Sequence, residues 1–369
     1  MPAKTWEKQP PNRQFTTPKR GIGGTVPESL TVKEKFVIII PGYGSLKQGF
    51  PCITALLFNS DRQLLNVATG HLPPTVEIDE KFLEIQIKRR SILRRQLTNF
   101  SHQEINQRVD EFSKQFKDWL NSASFLPIQK TIYQNFDRND SIQIIFQTKD
   151  IEVQRLPWHL WSILDDYPNA EISYGLSNKK IGKYSHPKST LKILSILGNS
   201  DGIDVEIDRQ ILGNLPGAEV KFLIQPTRRE LTEELWRDRG WDVLTFSGHS
   251  TTKGGDGLIF INDKDRPSIS QLKYAFKQAI ANGLQMGVFN SCKGLGLAAQ
   301  LGYFNLPQAV VMREPVPDRV AQEFIKHFFH ALIKDNSLHK SVRQAREKLQ
   351  GLEDELPCAS WLPVMFQGF

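Results

Sequence analysis

Leu191-Lys192-Ile193-Leu194-Ser195-Ile196-Leu197-Gly198 is a nearly unbroken apolar run of strand length. A strand with one wet face alternates polar and apolar side chains; this one needs cover on both faces, as in a parallel sheet clad by helices. β-rich runs recur at Ile142 to Phe146, Val220 to Ile224, Val243 to Phe246, Gln285 to Phe289 and Ala309 to Met312. Helical periodicity fills the intervals. Arg228 to Trp236 is one such stretch, and Leu272, Ala275, Phe276, Ala279 and Ile280 share a face of another, with Gly283 just past its end. Asp318 is placed to cap a helix carrying Val320, Phe324, Phe328 and Leu332, and Ser337 to cap a last one. This alternation predicts an α/β fold, a mostly parallel sheet flanked by helices.

Working outward, Phe36 to Ile40 and Cys52 to Phe58 are β-rich runs separated by Pro41-Gly42-Tyr43-Gly44, which predicts a small N-terminal β element. Two helices follow. Phe82, Ile85, Arg89, Ile92 and Leu93 share a face of the first; Ile105, Val109, Phe112, Phe116 and Leu120 recur at intervals of four, three, four and four in the second. Residues 1–30 mix Lys, Arg, Pro, Gly and Thr without periodicity, cannot bury enough surface to offset ordering entropy, and read as a disordered basic tail. The organisation predicted is this tail, an N-terminal β/helical region over 31–130 and an α/β domain over 131–369.

Composition narrows the function classes. With 39% hydrophobic and 24% charged residues the chain is ordinary for a globular protein, and no apolar run approaches the roughly 18 residues of a membrane span. The proline-broken N-terminus lacks the apolar segment of a secretory signal, so a cytoplasmic protein without membrane contact is expected. Cys52, Cys292 and Cys358 cannot all pair and show no metal-ligand spacing, which fits free thiols in a reducing compartment and no metal site. A net charge of +7 and a pI near 9.2 are too mild to indicate nucleic-acid binding. Lys88, Arg89, Arg90, Arg94 and Arg95 cluster on the first helix without an aromatic stacking platform, and read as a solvated face. Neither Gly21-Ile22-Gly23-Gly24 nor Gly42-Tyr43-Gly44 has the strand and helix start of a phosphate loop, and no Gly-x-Ser-x-Gly elbow occurs.

Ligands of open α/β sheets gather beyond the carboxyl ends of the strands. There, Trp241 to Phe246 runs into Ser247-Gly248-His249-Ser250, and Gln285 to Phe289 into Asn290-Ser291-Cys292-Lys293-Gly294. If the two strands are neighbours, His249 and Cys292 emerge side by side. An imidazole beside a thiol yields the thiolate that attacks a carbonyl, and later returns the proton to a leaving amine. The backbone N–H groups of Ser250 and Cys292 are the candidate oxyanion donors. Cys52 and Cys358 have no histidine at a comparable strand end and read as structural. Asp256, in Gly254-Gly255-Asp256-Gly257, is a loop carboxylate near the histidine.

Phe246-Ser247-Gly248-His249-Ser250 and Phe289-Asn290-Ser291-Cys292-Lys293-Gly294-Leu295-Gly296 resemble the two signature motifs of CHAT domains, bacterial caspase-like peptidases that often accompany tetratricopeptide repeats or signalling modules. Leu156-Pro157-Trp158-His159-Leu160, Gly198-Asn199-Ser200, Arg313-Glu314-Pro315-Val316-Pro317-Asp318 and Trp361-Leu362-Pro363-Val364 are similar to blocks of cyanobacterial-type members, so the resemblance covers about Ser141 to Phe369. It implies a caspase-like fold and thiol proteolysis of a protein substrate by a His249–Cys292 dyad, without metal or cofactor; the expected role is regulatory proteolysis, with a regulatory protein acting in trans. One departure is Ser250, where many members have Gly. In such folds the pocket for the residue before the cut lies beside the cysteine strand and the next one, which points to Asn290, Met312, Arg313 and Glu314. An acidic lining from Asp256 or Glu314 favours a basic side chain there, Arg313 an acidic one, and the sequence leaves both open. The alternative is a catalytically silent or latent CHAT signalling or binding module activated by a partner.

Overall fold

The computed structural model describes residues 33–93, 102–175, 190–253, 256–291, 294–335 and 337–368. The basic tail predicted over 1–30 lies outside them, as do Arg94, Arg95, Cys292 and Lys293 and the side chains of Ile92 and Leu93. The strands are β1 (Glu34–Ile40), β2 (Phe50–Phe58), β3 (Leu64–Leu72), β4 (Ser141–Phe146), β5 (Ala170–Gly175), β6 (Leu191–Leu197), β7 (Ala218–Ile224), β8 (Val243–Ser247), β9 (Ser250–Lys253), β10 (Asp256–Ile259), β11 (Met286–Asn290), β12 (Gln308–Met312) and β13 (Pro363–Gln367). The helices are α1 (Val76–Leu93), α2 (His102–Leu120), α3 (Leu126–Asn135), α4 (Ile151–Arg155), α5 (Ile163–Asp166), α6 (Val205–Gly213), α7 (Arg228–Leu235), α8 (Lys273–Ala281), α9 (Gly294–Tyr303), α10 (Asp318–Asp335) and α11 (Leu338–Lys348).

Eleven strands form one sheet in the order β3-β2-β1-β4-β5-β13-β12-β11-β8-β6-β7, and β9 and β10 form a separate hairpin. The run β1-β4-β5-β13 is parallel, and so is β12-β11-β8-β6-β7. The antiparallel pair β12·β13 joins these halves, and β2 and β3 extend the first half as an antiparallel edge. The α/β, mostly parallel sheet read from the sequence is the one observed.

Side-chain alternation along the central strands divides the core between the two faces of the sheet. Leu244, Phe246 and Phe289 join Phe276 of α8 and Leu301 of α9 in one buried cluster. Val243, Met286 and Val288 join Val320, Phe324, Phe328 and Leu332 of α10 in the other. The face of α10 predicted from its periodicity is the buried one. Its capping differs: Asp318 belongs to the helix, and its carboxylate accepts from the Asp204 amide at 3.0 Å. Ser337 stands at the N-cap of α11, yet its hydroxyl makes no capping bond and instead lies 3.3 Å from His339 Nδ1.

The N-terminal elements share the larger cluster. Phe82 of α1 stacks on Phe112 of α2, Phe112 meets Trp361, and Phe116 meets Trp158 edge-on. The described residues from Glu34 onward accordingly form one compact unit. Two members of the basic cluster are paired, Lys88 with Glu84 at 2.9 Å and Arg89 with Glu314, and Arg89 is buried where the sequence reading has a solvated face. Among the described residues no helix is long and apolar enough to cross a membrane.

Candidate active site

β8 and β11 are adjacent and parallel, with Ser247 opposite Asn290. Paired strands run about 4.8 Å apart. In sequence, His249 and Cys292 each stand two positions after that register pair. The adjacency of the two strands that precede the motifs is observed; Cys292 itself lies outside the described residues.

Gly248 lets the chain turn out of β8. Its φ is +153°, and a Cβ there would come within 3.2 Å of Gly198 Cα and of the Phe246 ring. The turn delivers the His249 ring to the segment after β6, where Nε2 lies 2.8 Å from the Asp201 carbonyl oxygen. A carbonyl only accepts, so Nε2 carries the proton, and the lone pair of the neutral ring sits on Nδ1. The His249 carbonyl accepts from the Phe260 amide at 2.9 Å, and the Phe260 ring centroid lies 6.3 Å from that of the imidazole, which ties the backbone to the end of the β9–β10 hairpin. Ser250 is buried and opens β9 opposite Ile259. Two residues after Cys292, Gly294 starts α9 against β12, where a Cβ would meet Val311 Cβ at 2.6 Å.

The residues expected to line a pocket are not brought together. Asp256 Oδ1 accepts from Ser270 Oγ at 2.9 Å and from Gln300 Nε2 at 2.6 Å, so this carboxylate is engaged by residues outside the candidate dyad. Met312 packs in the core cluster beneath α10. Glu314 is 4% exposed and takes Arg89 and Gln86 of α1 on its two carboxylate oxygens. Arg313 donates to the carbonyls of Arg155 and Leu156 at 2.8 and 2.6 Å. These last three side chains bind elements to one another, and of the predicted set Asn290 alone lines the open cleft.

That cleft is shallow and open to solvent, lies beyond the ends of β8 and β11, and takes in Asp204, Asp208, Gly248, Asn290, Ser291 and Asp318. Asp208 was missed in the sequence, where it passes for a solvated charge among Glu206 and Arg209. The signal that would have found it is its four-residue spacing from Leu212, which puts it on the buried face of α6. Burial pushes the Asp208 carboxyl up to about 6; Ser247 and Asn290 beside it pull it back, and the charges of Asp318 and Asp204 push it further. Of the other cysteines, Cys52 is exposed, whereas burial raises the Cys358 thiol well above its ordinary range and keeps it protonated.

Residues 116–366 match the family model of the CHAT domain. The chain belongs to the CHAT domain family. Among solved structures this CHAT protein resembles Saccharomyces cerevisiae separase in two crystal structures of its complex with securin, at 3.0 and 2.6 Å resolution. In each the TM-score is 0.55 with 10% sequence identity, over 91% of this chain and 30% of the separase chain. This chain thus spans less than a third of the separase chain, and at that identity the likeness is one of fold. Gingipain R, an Arg-specific cysteine proteinase, aligns with a TM-score of 0.44 and 12% identity over 67% of each chain. No curated protein matches the sequence.

Proposed function

We propose that this CHAT domain is a cysteine endopeptidase that cleaves a protein substrate through His249 and Cys292. The observation that carries the reading is the register of β8 and β11, neighbouring strands whose paired ends each stand two positions before one of these residues in sequence. In the reaction, His249 Nδ1 removes the Cys292 thiol proton while the Asp201 carbonyl holds Nε2–H. The thiolate adds to the scissile carbonyl, and the resulting oxyanion takes hydrogen bonds from the N–H groups of Ser250 and Cys292. Collapse breaks the C–N bond, the imidazolium returns its proton to the leaving amine, and water then hydrolyses the thioester with His249 again as base. The start of α9, two residues after Cys292, favours the thiolate through the positive end of the helix dipole.

Regulatory proteolysis under a protein partner in trans extends the same reading. Its support is a fold neighbour, separase, crystallised in complex with securin. A latent or silent module is the competing outcome of the following test.

Limited alkylation with iodoacetamide, read by mass spectrometry, is expected to modify Cys292 first, exposed Cys52 more slowly, and Cys358 only after unfolding. Replacing His249 by Ala is expected to slow the Cys292 reaction about tenfold or more near neutral pH by removing the base. Cys292 labelling no faster than that of Cys52, and indifferent to His249, would point to a CHAT fold kept as a binding module.

A further inference from the structure

The cleft beside the candidate dyad has a chemistry of its own. Three carboxylates, Asp204, Asp208 and Asp318, line it, and no basic side chain does among the described residues. Two of the three have structural work: Asp204 Oδ1 accepts from the Glu206 amide at 3.2 Å at the start of α6, and Asp318 Oδ2 accepts from the Asp204 amide. Asp208 does not. It is 3% exposed, and its Oδ1 has no hydrogen-bond partner among the described residues.

Asn290 Oδ1 and Ser291 Oγ, on residues 8% and 2% exposed, are likewise without a partner among the described residues and line the same cleft. Buried polar atoms are nearly always satisfied, so three that converge call for an occupant rich in donors. The walls beside Ile203, Val316 and Ala321 are apolar. Apolar walls over an acidic, acceptor-rich floor suit a long aliphatic stem ending in a cation that only donates, as in arginine or lysine. A metal ion fits less well, since no group of three such ligands among the described residues is placed to hold one.

We infer that this cleft is the specificity pocket of the peptidase and that Asp208, with Asn290 and Ser291, receives an arginine or lysine side chain of the substrate immediately before the scissile bond. The inference rests on the peptidase reading for its place in the reaction. It resolves the choice between a basic and an acidic pocket that the sequence leaves open, and it assigns the role to a residue outside the predicted set. Arginine suits the site better than lysine, because a planar fork of donors can reach several acceptors at once.

Binding is tested apart from chemistry. Acetylated peptides identical except for arginine, lysine, citrulline or glutamate at one position are titrated calorimetrically into the Cys292→Ala protein. The arginine peptide is expected to bind roughly tenfold or more tightly than its uncharged citrulline counterpart, the worth of one charge-assisted hydrogen bond. Asp208→Asn is expected to erase that difference, and Asp318→Asn to reduce it. A melting temperature for Asp208→Asn at or above the wild type at pH 7.5 shows that the loss is not misfolding. Equal binding of arginine and citrulline, or binding of neither, overturns the inference.

The same peptides offered to the wild-type protein separate the two readings. Arginine-selective binding without cleavage leaves the pocket standing and sinks the peptidase. Cleavage indifferent to the basic residue, or persisting with unchanged preference in Asp208→Asn, sinks the pocket and leaves the peptidase.

Discussion

Asp208 combines a buried carboxyl, an unpartnered oxygen and an upward-shifted pKa, a combination that costs stability and is typical of functional positions. With a folded-state value of about 6 against an ordinary 3.8, the folded protein holds an extra proton between those two values. Its stability through this group therefore falls as pH rises across that window, and the full penalty is present above it. About 2 units at 1.36 kcal/mol each amount to roughly 3 kcal/mol as an upper figure. Replacing Asp208 by Asn is expected to leave stability near that of the wild type at pH 4 and to raise it by up to about 3 kcal/mol at pH 7.5, measured by urea denaturation. The wild type should show the steeper pH dependence, set by Asp208 under the charges of Asp204 and Asp318. A variant destabilised at pH 7.5 contradicts this picture of the site. The motifs carrying His249 and Cys292 stand out in the sequence because each follows an apolar strand directly. Asp208 does not, because a charge in a polar helix looks the same whether its face is wet or buried.

The helices and strands around the site are linked by buried polar contacts between distant parts of the chain. Arg89 of α1 and Glu314, just after β12, are 8% and 4% exposed at their side chains and form an ion pair. Removing one partner of such a pair strands the other charge, at a cost of roughly 3–5 kcal/mol. Arg89→Ala is thus expected to lower stability by about that amount in chemical denaturation, and the double change Arg89→Met with Glu314→Gln by much less, since no charge is left behind. Equal losses would show that packing, not charge, holds α1 in place. Pairing of this kind also explains what sequence reasoning missed. β5, which the sequence analysis does not single out, carries Glu171 and Ser173 among its apolar residues: Glu171 pairs with Arg346 at 2.9 Å and Ser173 accepts from Gln367 at 2.8 Å, partners supplied from near the other end of the chain. β6, β8 and β11 need no such partners, so their apolar runs announced them. β7 looked alike in sequence but is the half-exposed edge.

Across the molecule, the N-terminal strands and helices are part of the same structure as the family domain. β1 pairs with β4 along Glu34 to Ile39, and Phe112 and Phe116 of α2 cover Trp361 and Trp158. A chain beginning at Asp137 would expose the edge of β4 and those aromatic faces to water. It is expected to lose cooperative unfolding and fixed near-ultraviolet circular dichroism, whereas a cooperative transition in that fragment would show that the family domain folds alone. The sequence indicated strands at both ends of this unit but not that one sheet joins them, because β13, the antiparallel joint between the halves, is only five residues long and follows a tryptophan-bearing turn.

The decisive measurement is exposure of a proteome-derived peptide library to the wild-type protein and to the Cys292→Ala and Asp208→Asn variants, with cut sites read by mass spectrometry. The wild type should cut after arginine or lysine, Cys292→Ala should cut nothing, and Asp208→Asn should cut weakly and without that preference. Cuts that persist in Cys292→Ala, or a library left intact by all three proteins, would contradict the peptidase assignment.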